Sequence, residues 1–254
     1  MRIAPLSASI GARVEDFDPG ALDETRVKEL RHGVLAHKVL FFGGAGLDPA
    51  GHVALARLFG IVRRVEEGER DDAAIPVVDG HPEIFVVDGG RAVRANVWHT
   101  DATFSPDPPI AGVLAMRTSP PRGGDTLWSD TEQAFATLSE PVRQLVEELV
   151  AVHGRAGRTG DASHPIVRVH PVTGHRALYV NRGWTSAIVG LSADESAHVL
   201  AMLFEHMERP EFTVRWSWSV GDVAVWDNRC TMHYVLDDFG GAERVAHLVW
   251  CYES

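Results

Sequence analysis

The stretch Trp98-His99-Thr100-Asp101 constrains this chain more than any other. Successive side chains of a strand point to opposite faces, so His99 and Asp101 are expected on one face of a strand. A neighbouring imidazole and carboxylate supply part of a 2-His-1-carboxylate triad, which binds a divalent iron and leaves positions open for other ligands. The pair alone is common in sequences, so its meaning depends on a further histidine and on what surrounds it. A fold that uses the pair must bring distant strands together, as two packed sheets do.

The chain has 254 residues, enough for one large domain or two small ones. Apolar residues make up 45% and charged residues 23%, a balance that buries a full core. The net charge of −11 argues against nucleic acid or an anionic membrane as the main partner. Cys230 and Cys251 form no C-x-x-C pair and no disulfide framework. Free thiols fit a reducing, cytoplasmic setting. The N-terminal residues lack a long apolar region, and no run of about 18 apolar residues occurs, so neither a leader nor a membrane span is expected.

The pattern predicts a helix over residues 22–37, a buried strand at Val39-Leu40-Phe41-Phe42, and a helix capped by Asp48-Pro49 that runs through Phe59 to Gly60. Residues 61–82 are charge-rich and read as a loop. Strands follow at 84–87, through the His99 motif, and at 111–117. Gly123-Gly124 then turns the chain into Asp125-Thr126-Leu127-Trp128. A helix begins near Asp130. Another starts at Ser139-Glu140-Pro141, with Val142, Leu145, Val146 and Leu149 as its apolar stripe. Residues 154–163 read as a glycine-rich loop. Strands are expected at 166–170 and 177–181, and Ser192-Ala193-Asp194-Glu195 is a capping box for a helix towards Met207. Strands at 213–219, 223–226 and 244–252 complete the chain. No linker or repeat divides it, so residues 1–254 are read as one domain, mainly β with flanking helices.

The metal pair gains a partner in Trp226-Asp227-Asn228-Arg229-Cys230-Thr231-Met232-His233. Other histidines compete, among them His153, His170, His175 and His247; only its place between Asp227-Asn228-Arg229 and Arg244 singles out His233. An inward arginine at 244 could grip a carboxylate with two parallel bonds.

Taken together, W-H-T-D, G-G-D-T-L-W, W-D-N-R-x-x-x-H and the arginine that follows resemble the taurine dioxygenase family, which includes the 2,4-dichlorophenoxyacetate dioxygenases. The similarity extends through Ile10-Gly11-Ala12, Leu58-Phe59-Gly60, His164-Pro165 and Tyr179-Val180-Asn181. The resemblance implies a double-stranded β-helix (jelly roll). It also implies an enzyme that uses Fe(II), 2-oxoglutarate and O2 to oxidise, most simply hydroxylate, an unactivated C–H of a small molecule, releasing succinate and CO2. On this reading His99, Asp101 and His233 are the iron ligands and catalytic residues. Thr126 and Arg244 hold the distal carboxylate of 2-oxoglutarate, with Trp128 and Trp226 as aromatic neighbours. The carboxylate at Asp101 argues for oxidation without halide. A homodimer or tetramer is the family's usual assembly.

The substrate side departs from the pattern. Leu248 stands where family members acting on sulfonates or aryloxyacetates carry an anion-binding arginine, and strand parity puts it on Arg244's face, roughly 13 Å away. Val65 and Ala95 replace polar contacts of the taurine enzyme, which makes taurine an unsuitable substrate. Phe104 and Trp184 are candidate pocket walls, and Arg94, Arg155, Arg158 and Arg182 are candidate anion clamps. A larger or less simply anionic substrate, such as an intermediate of specialised metabolism, fits better. Desaturation or oxidative rearrangement is an alternative outcome. A zinc hydrolase and a non-catalytic jelly-roll binding protein are alternatives of other classes.

Overall fold

The computed structural model describes residues 1–64, 76–89, 95–154 and 162–253. Val39-Leu40-Phe41-Phe42 shows how the architecture follows from sequence. All four side chains are buried, Leu40 and Phe42 in one core cluster and Val39 and Phe41 in another. Val223–Asp227 divides in the same way, with Val223 and Val225 on one side and Ala224 and Trp226 on the other. Continuous apolar runs of this kind belong to strands covered on both faces.

These strands form the centre of a large sheet. Its order is Arg2–Pro5, Ala12–Glu15, Val39–Phe42, Val223–Asp227, Ala111–Thr118, Val245–Tyr252, His81–Asp88 and Val77–Val78, with Ile61–Val62 paired to Val245–Tyr252. Pairing is antiparallel apart from Ala12–Glu15 on Val39–Phe42. A smaller antiparallel sheet runs Thr213–Trp216, Thr126–Asp130, Thr231–Val235. His99 extends it through a bridge to His233, exchanging backbone bonds of 3.0 and 2.7 Å.

The two sheets pack face to face around an aromatic core. Phe41 of the large sheet stacks on Trp216 of the small one at 4.5 Å and meets Trp128 edge-on at 5.3 Å. Helices Glu24–His37 and Pro49–Ala56 cover the outer face of the large sheet. Helices Thr131–Thr137 and Ala193–Met207 cover the other side together with the strands Val150–His153, Ala162–Pro165 and Thr185–Ile188. This is the mainly β, helix-flanked jelly roll expected.

Local signals held where capping chemistry set them. Asp23 and Asp48 accept backbone N–H bonds at the first turns of their helices, and Ser192 with Glu195 completes a capping box. Others need correction. The second helix stops at Ala56, so Leu58 and Phe59 lie in the turn that follows. Leu145 is 52% exposed and Leu149 falls beyond the end of Glu140–Glu147, so the expected apolar stripe is only partly buried. The strand expected over 213–219 ends at Trp216, and the last strand starts at Val245, just after Arg244. The loop expected over 154–163 gives way to strand Ala162–Pro165, while residues 155–161 lie outside the described residues.

Candidate metal and co-substrate site

His99 and Asp101 converge, but not by strand parity. Only His99 pairs with the small sheet, and the chain then turns, with Ala102 at φ +50°. The expected strand is therefore a single bridge residue followed by a turn, and the turn swings the Asp101 carboxylate back. Nε2 of His99 lies 3.7 Å and Nε2 of His233 lies 3.6 Å from Oδ1 of Asp101. The imidazole rings are 4.1 Å apart.

Neither nitrogen is close enough to Asp101 to hydrogen-bond it. His99 Nδ1 sits 2.8 Å from the Val97 carbonyl, which places the proton on Nδ1 and leaves Nε2 as a ligand atom. Trp250 donates to Asp101 Oδ2 at 3.1 Å, so Oδ1 faces the histidines. Burial pushes the Asp101 carboxyl up, against the pull of His99 and the Trp250 bond. Burial, reinforced by His99, pushes His233 well below the usual histidine range and so keeps it a neutral donor. A divalent ion about 2.1 Å from each ligand separates neighbouring ligand atoms by roughly 3 to 3.5 Å. The observed spacing is a few tenths longer, and a carboxylate with two neutral imidazoles is the donor set that such an ion requires.

A second cluster, His170, Asp227 and Cys230, is also buried. It is not a metal site. His170 Nδ1 accepts from the backbone N–H groups of Val172 and Thr173, so its proton is on Nε2 and points at Asp227 at 3.0 Å. Asp227 is also gripped by Arg229 at 2.8 and 2.6 Å. Burial raises the Asp227 carboxyl, but the bonds from Arg229 and His170 outweigh it and hold the group below the usual carboxylate range.

Thr126 and Arg244 meet on the inner side of the same small sheet. Register pairs Trp128 with His233 and Val235 with Thr126, which puts all four on one face. Arg244 is 2% exposed, and its Nε donates to the Gly124 carbonyl at 2.9 Å and its Nη2 to Thr126 Oγ1 at 3.2 Å. Gly124 has φ +70°, and an added Cβ would lie 3.1 Å from Arg244 Cδ, so this turn needs glycine. Trp218 donates to the same Thr126 oxygen at 2.9 Å. With both acceptor positions of that hydroxyl taken, its proton is left to donate. Burial lowers Arg244 to about 10, opposed by the charge of Asp125, so it remains cationic at neutral pH. Asp125 itself is bonded to Arg215 and Ser217. These bonds of the buried guanidinium go to neutral oxygens, an environment that an anionic ligand completes.

The remaining expected residues are distributed as follows. Trp226 is buried, with its ring 5.1 Å from that of His233, and its indole N–H has no partner among the described residues. Phe104 and Trp184 meet edge-on at 4.6 Å. Leu248 is buried between the sheets, in register with Phe85 and Leu114. Ala95 accepts the N–H of Val235 through its carbonyl. Arg182 is engaged elsewhere, at 2.5 Å from Glu208 and over the Phe204 ring. Val65, Arg94, Arg155 and Arg158 lie outside the described residues.

Comparison with known proteins decides the family. Residues 2–252 match the description "Taurine catabolism dioxygenase TauD, TfdA family". The chain belongs to this family. A sulfate ester dioxygenase of Pseudomonas putida, dependent on alpha-ketoglutarate (2-oxoglutarate), is 35% identical over 97% of this chain and 88% of its own length. An alkylsulfatase of Acinetobacter baylyi is 34% identical over 98% and 84%. The crystal structure of a taurine dioxygenase from Burkholderia xenovorans superposes with a TM-score of 0.89 at 38% identity, covering 100% of this chain and 89% of that one. As a family member the chain is a 2-oxoglutarate-dependent dioxygenase whose metal is Fe(II) and whose other co-substrate is O2. The zinc-hydrolase and non-catalytic alternatives are not favoured. No helix among the described residues is long and apolar enough to cross a membrane.

Asn228, Trp250, Gly183 and Thr103, none of them expected from the sequence to take part, also lie on or against the His99–Asp101 segment. Asn228 stood inside the W-D-N-R motif, and Trp250 shares strand parity with Leu248. Those were the signals available.

Proposed function

We propose that His99, Asp101 and His233 hold the Fe(II) of this dioxygenase and that Arg244 and Thr126 bind the distal carboxylate of 2-oxoglutarate. The observation that carries the assignment is the convergence of the His99 and His233 Nε2 atoms on Oδ1 of Asp101, on the same face as a buried arginine bonded to neutral oxygens. When bound, Fe(II) with 2-oxoglutarate and O2 supplies the oxidising power, and 2-oxoglutarate leaves as succinate and CO2. The protein's own work is placement. Arg244 and Thr126 set the far end of the co-substrate, and the Trp128, Trp216, Trp218 and Trp226 layer excludes water beneath it. The Trp226 N–H, which has no partner among the described residues, is a further candidate donor for the co-substrate.

On the substrate side, the relatives named above are a sulfate ester dioxygenase, an alkylsulfatase and a taurine dioxygenase. Here Leu248 contributes an apolar surface, Phe104 and Trp184 form an aromatic wall, and Arg182 is occupied by Glu208. This supports a small organic substrate held mainly by apolar and aromatic contact, larger or less simply anionic than taurine and suited to specialised metabolism. Hydroxylation of its C–H is the reaction favoured. We read residues 1–254 as one cytoplasmic domain, working as a homodimer or tetramer without nucleic acid or membrane partners. Succinate release triggered by a substrate panel tests the reading. Aromatic or extended compounds should stimulate turnover and taurine should not; taurine as the best substrate would overturn it.

A further inference from the structure

The segment from Trp98 to Thr103 has little regular secondary structure, yet it is tied at almost every residue. Gly183 N–H donates to Trp98 O at 3.1 Å, and Thr100 Oγ1 donates to Thr231 O at 2.9 Å. Asn181 Nδ2 donates to Thr103 Oγ1 at 3.2 Å. At Asp101 the tie is of a different kind. Asn228 Oδ1 accepts the Asp101 N–H at 3.0 Å, and Asn228 Nδ2 donates to the Asp101 carbonyl at 3.0 Å and to the Pro109 carbonyl at 2.8 Å. One buried side-chain amide therefore does for Asp101 what a neighbouring strand would do, pairing both backbone groups of a residue that sits in a turn. Among side chains, an amide is suited to this because it carries an acceptor and two donors.

Asn228 is itself fixed from below. Its own N–H donates to Ile110 O at 2.9 Å, and the adjacent Asp227 is locked by Arg229 and His170. Asn228 is fully buried, and among the described residues its side chain bonds only main-chain groups.

We propose that Asn228 is the positioning residue of the metal centre: it holds the Asp101 backbone in the turn that carries its carboxylate to the two histidines. This rests on the reading that His99, Asp101 and His233 bind the metal. Removing the amide frees the turn, so metal affinity falls while the fold around it stands. Partners behind metal ligands are worth about 10- to 100-fold in affinity.

The test is Mn(II) binding to the metal-free protein, followed by electron paramagnetic resonance, for wild type, Asn228→Ala, Asn228→Asp and Asp101→Ala, with the melting temperature of each metal-free protein alongside. The expected result is Mn(II) affinity at least about 10-fold weaker in Asn228→Ala, with the protein still folded at the assay temperature. A role in stability alone would lower the melting temperature and leave the affinity unchanged. Asn228→Asp keeps the shape and removes the donor pair, so it carries the test should the alanine variant not fold, and the same weakening is expected. Wild-type affinity in the Asn228 variants, with binding lost in Asp101→Ala, would overturn the proposal and leave the metal assignment standing. Wild-type affinity in Asp101→Ala would overturn both.

Discussion

Trp250 donates its indole N–H to Oδ2 of Asp101 at 3.1 Å, and this bond leaves Oδ1 facing Nε2 of both His99 and His233. The strand Val245–Tyr252 thus contributes at both ends of the site, with Arg244 beside its first residue and Trp250 near its last. Trp250→Phe keeps the ring against Phe85, which lies 4.6 Å away, and removes only the bond. The carboxylate is then free to rotate. Mn(II) affinity should fall by about 10-fold with little change in 2-oxoglutarate affinity, measured by titrating each in turn.

Arg244 and Thr126 make a separable prediction. Arg244→Lys loses the planar fork and the Gly124 contact, so KM for 2-oxoglutarate should rise by roughly 100-fold. Thr126→Val removes one hydroxyl donor and should cost about 1 kcal/mol of co-substrate binding, near a factor of 5 to 10. Both variants should retain Mn(II) affinity, since among the described residues the side-chain bonds of Arg244 and Thr126 join them to Gly124, Trp218 and each other. Steady-state kinetics at varied 2-oxoglutarate, with metal titration, separates the two sites.

Gly183 lies directly against His99, one of the proposed metal ligands. A Cβ added there would sit 2.8 Å from Cβ of His99. Gly183→Ala must therefore displace either the Asn181–Trp184 turn or His99. The expected cost is about 1 to 3 kcal/mol of stability together with weaker metal binding, read from chemical denaturation of the metal-free protein and Mn(II) titration.

The pH dependence of stability follows from buried neutral histidines. Burial lowers His52 to about 4, although its bond to the Val113 carbonyl opposes this. His153 falls to about 3, again mainly through burial. In the unfolded chain both take up a proton near 6.5. Between that value and about 4 the unfolded state binds more protons, so stability present at pH 7 is lost as the pH falls through this window. His52 alone contributes on the order of 3 kcal/mol. Urea midpoints of the metal-free protein should drop from pH 7 to pH 5. His52→Gln, which keeps a donor for Val113, should flatten the slope by up to about 1.4 kcal/mol per pH unit.

The sequence made some parts of this molecule plain and hid others for physical reasons. Val39–Phe42 and Val223–Asp227 were readable because strands covered on both faces are apolar throughout. The helix caps at Asp48 and Ser192 were readable because capping is local. That His99, Asp101 and His233 would come together, and that Arg244 would face inward, was readable through motif spacing. The turn at Asp101 was not, because strand parity made the right residues neighbours for the wrong reason. The strands Val150–His153 and Thr185–Ile188 are short and flank glycine-rich segments, so they carry little periodicity. The tie between Asn228 and Asp101 depends on contacts across the fold that no local pattern encodes.

The central claim is that His99, Asp101 and His233 hold Fe(II) beside an Arg244-bound 2-oxoglutarate. Its most direct test is anaerobic addition of Fe(II) and then 2-oxoglutarate to the metal-free protein, watching for the weak visible charge-transfer band of the chelate. The account predicts the band in the wild type, its loss in His233→Ala, and in Arg244→Ala a band that forms only at far higher 2-oxoglutarate. An undiminished band in His233→Ala, at wild-type concentrations of both ligands, would contradict it.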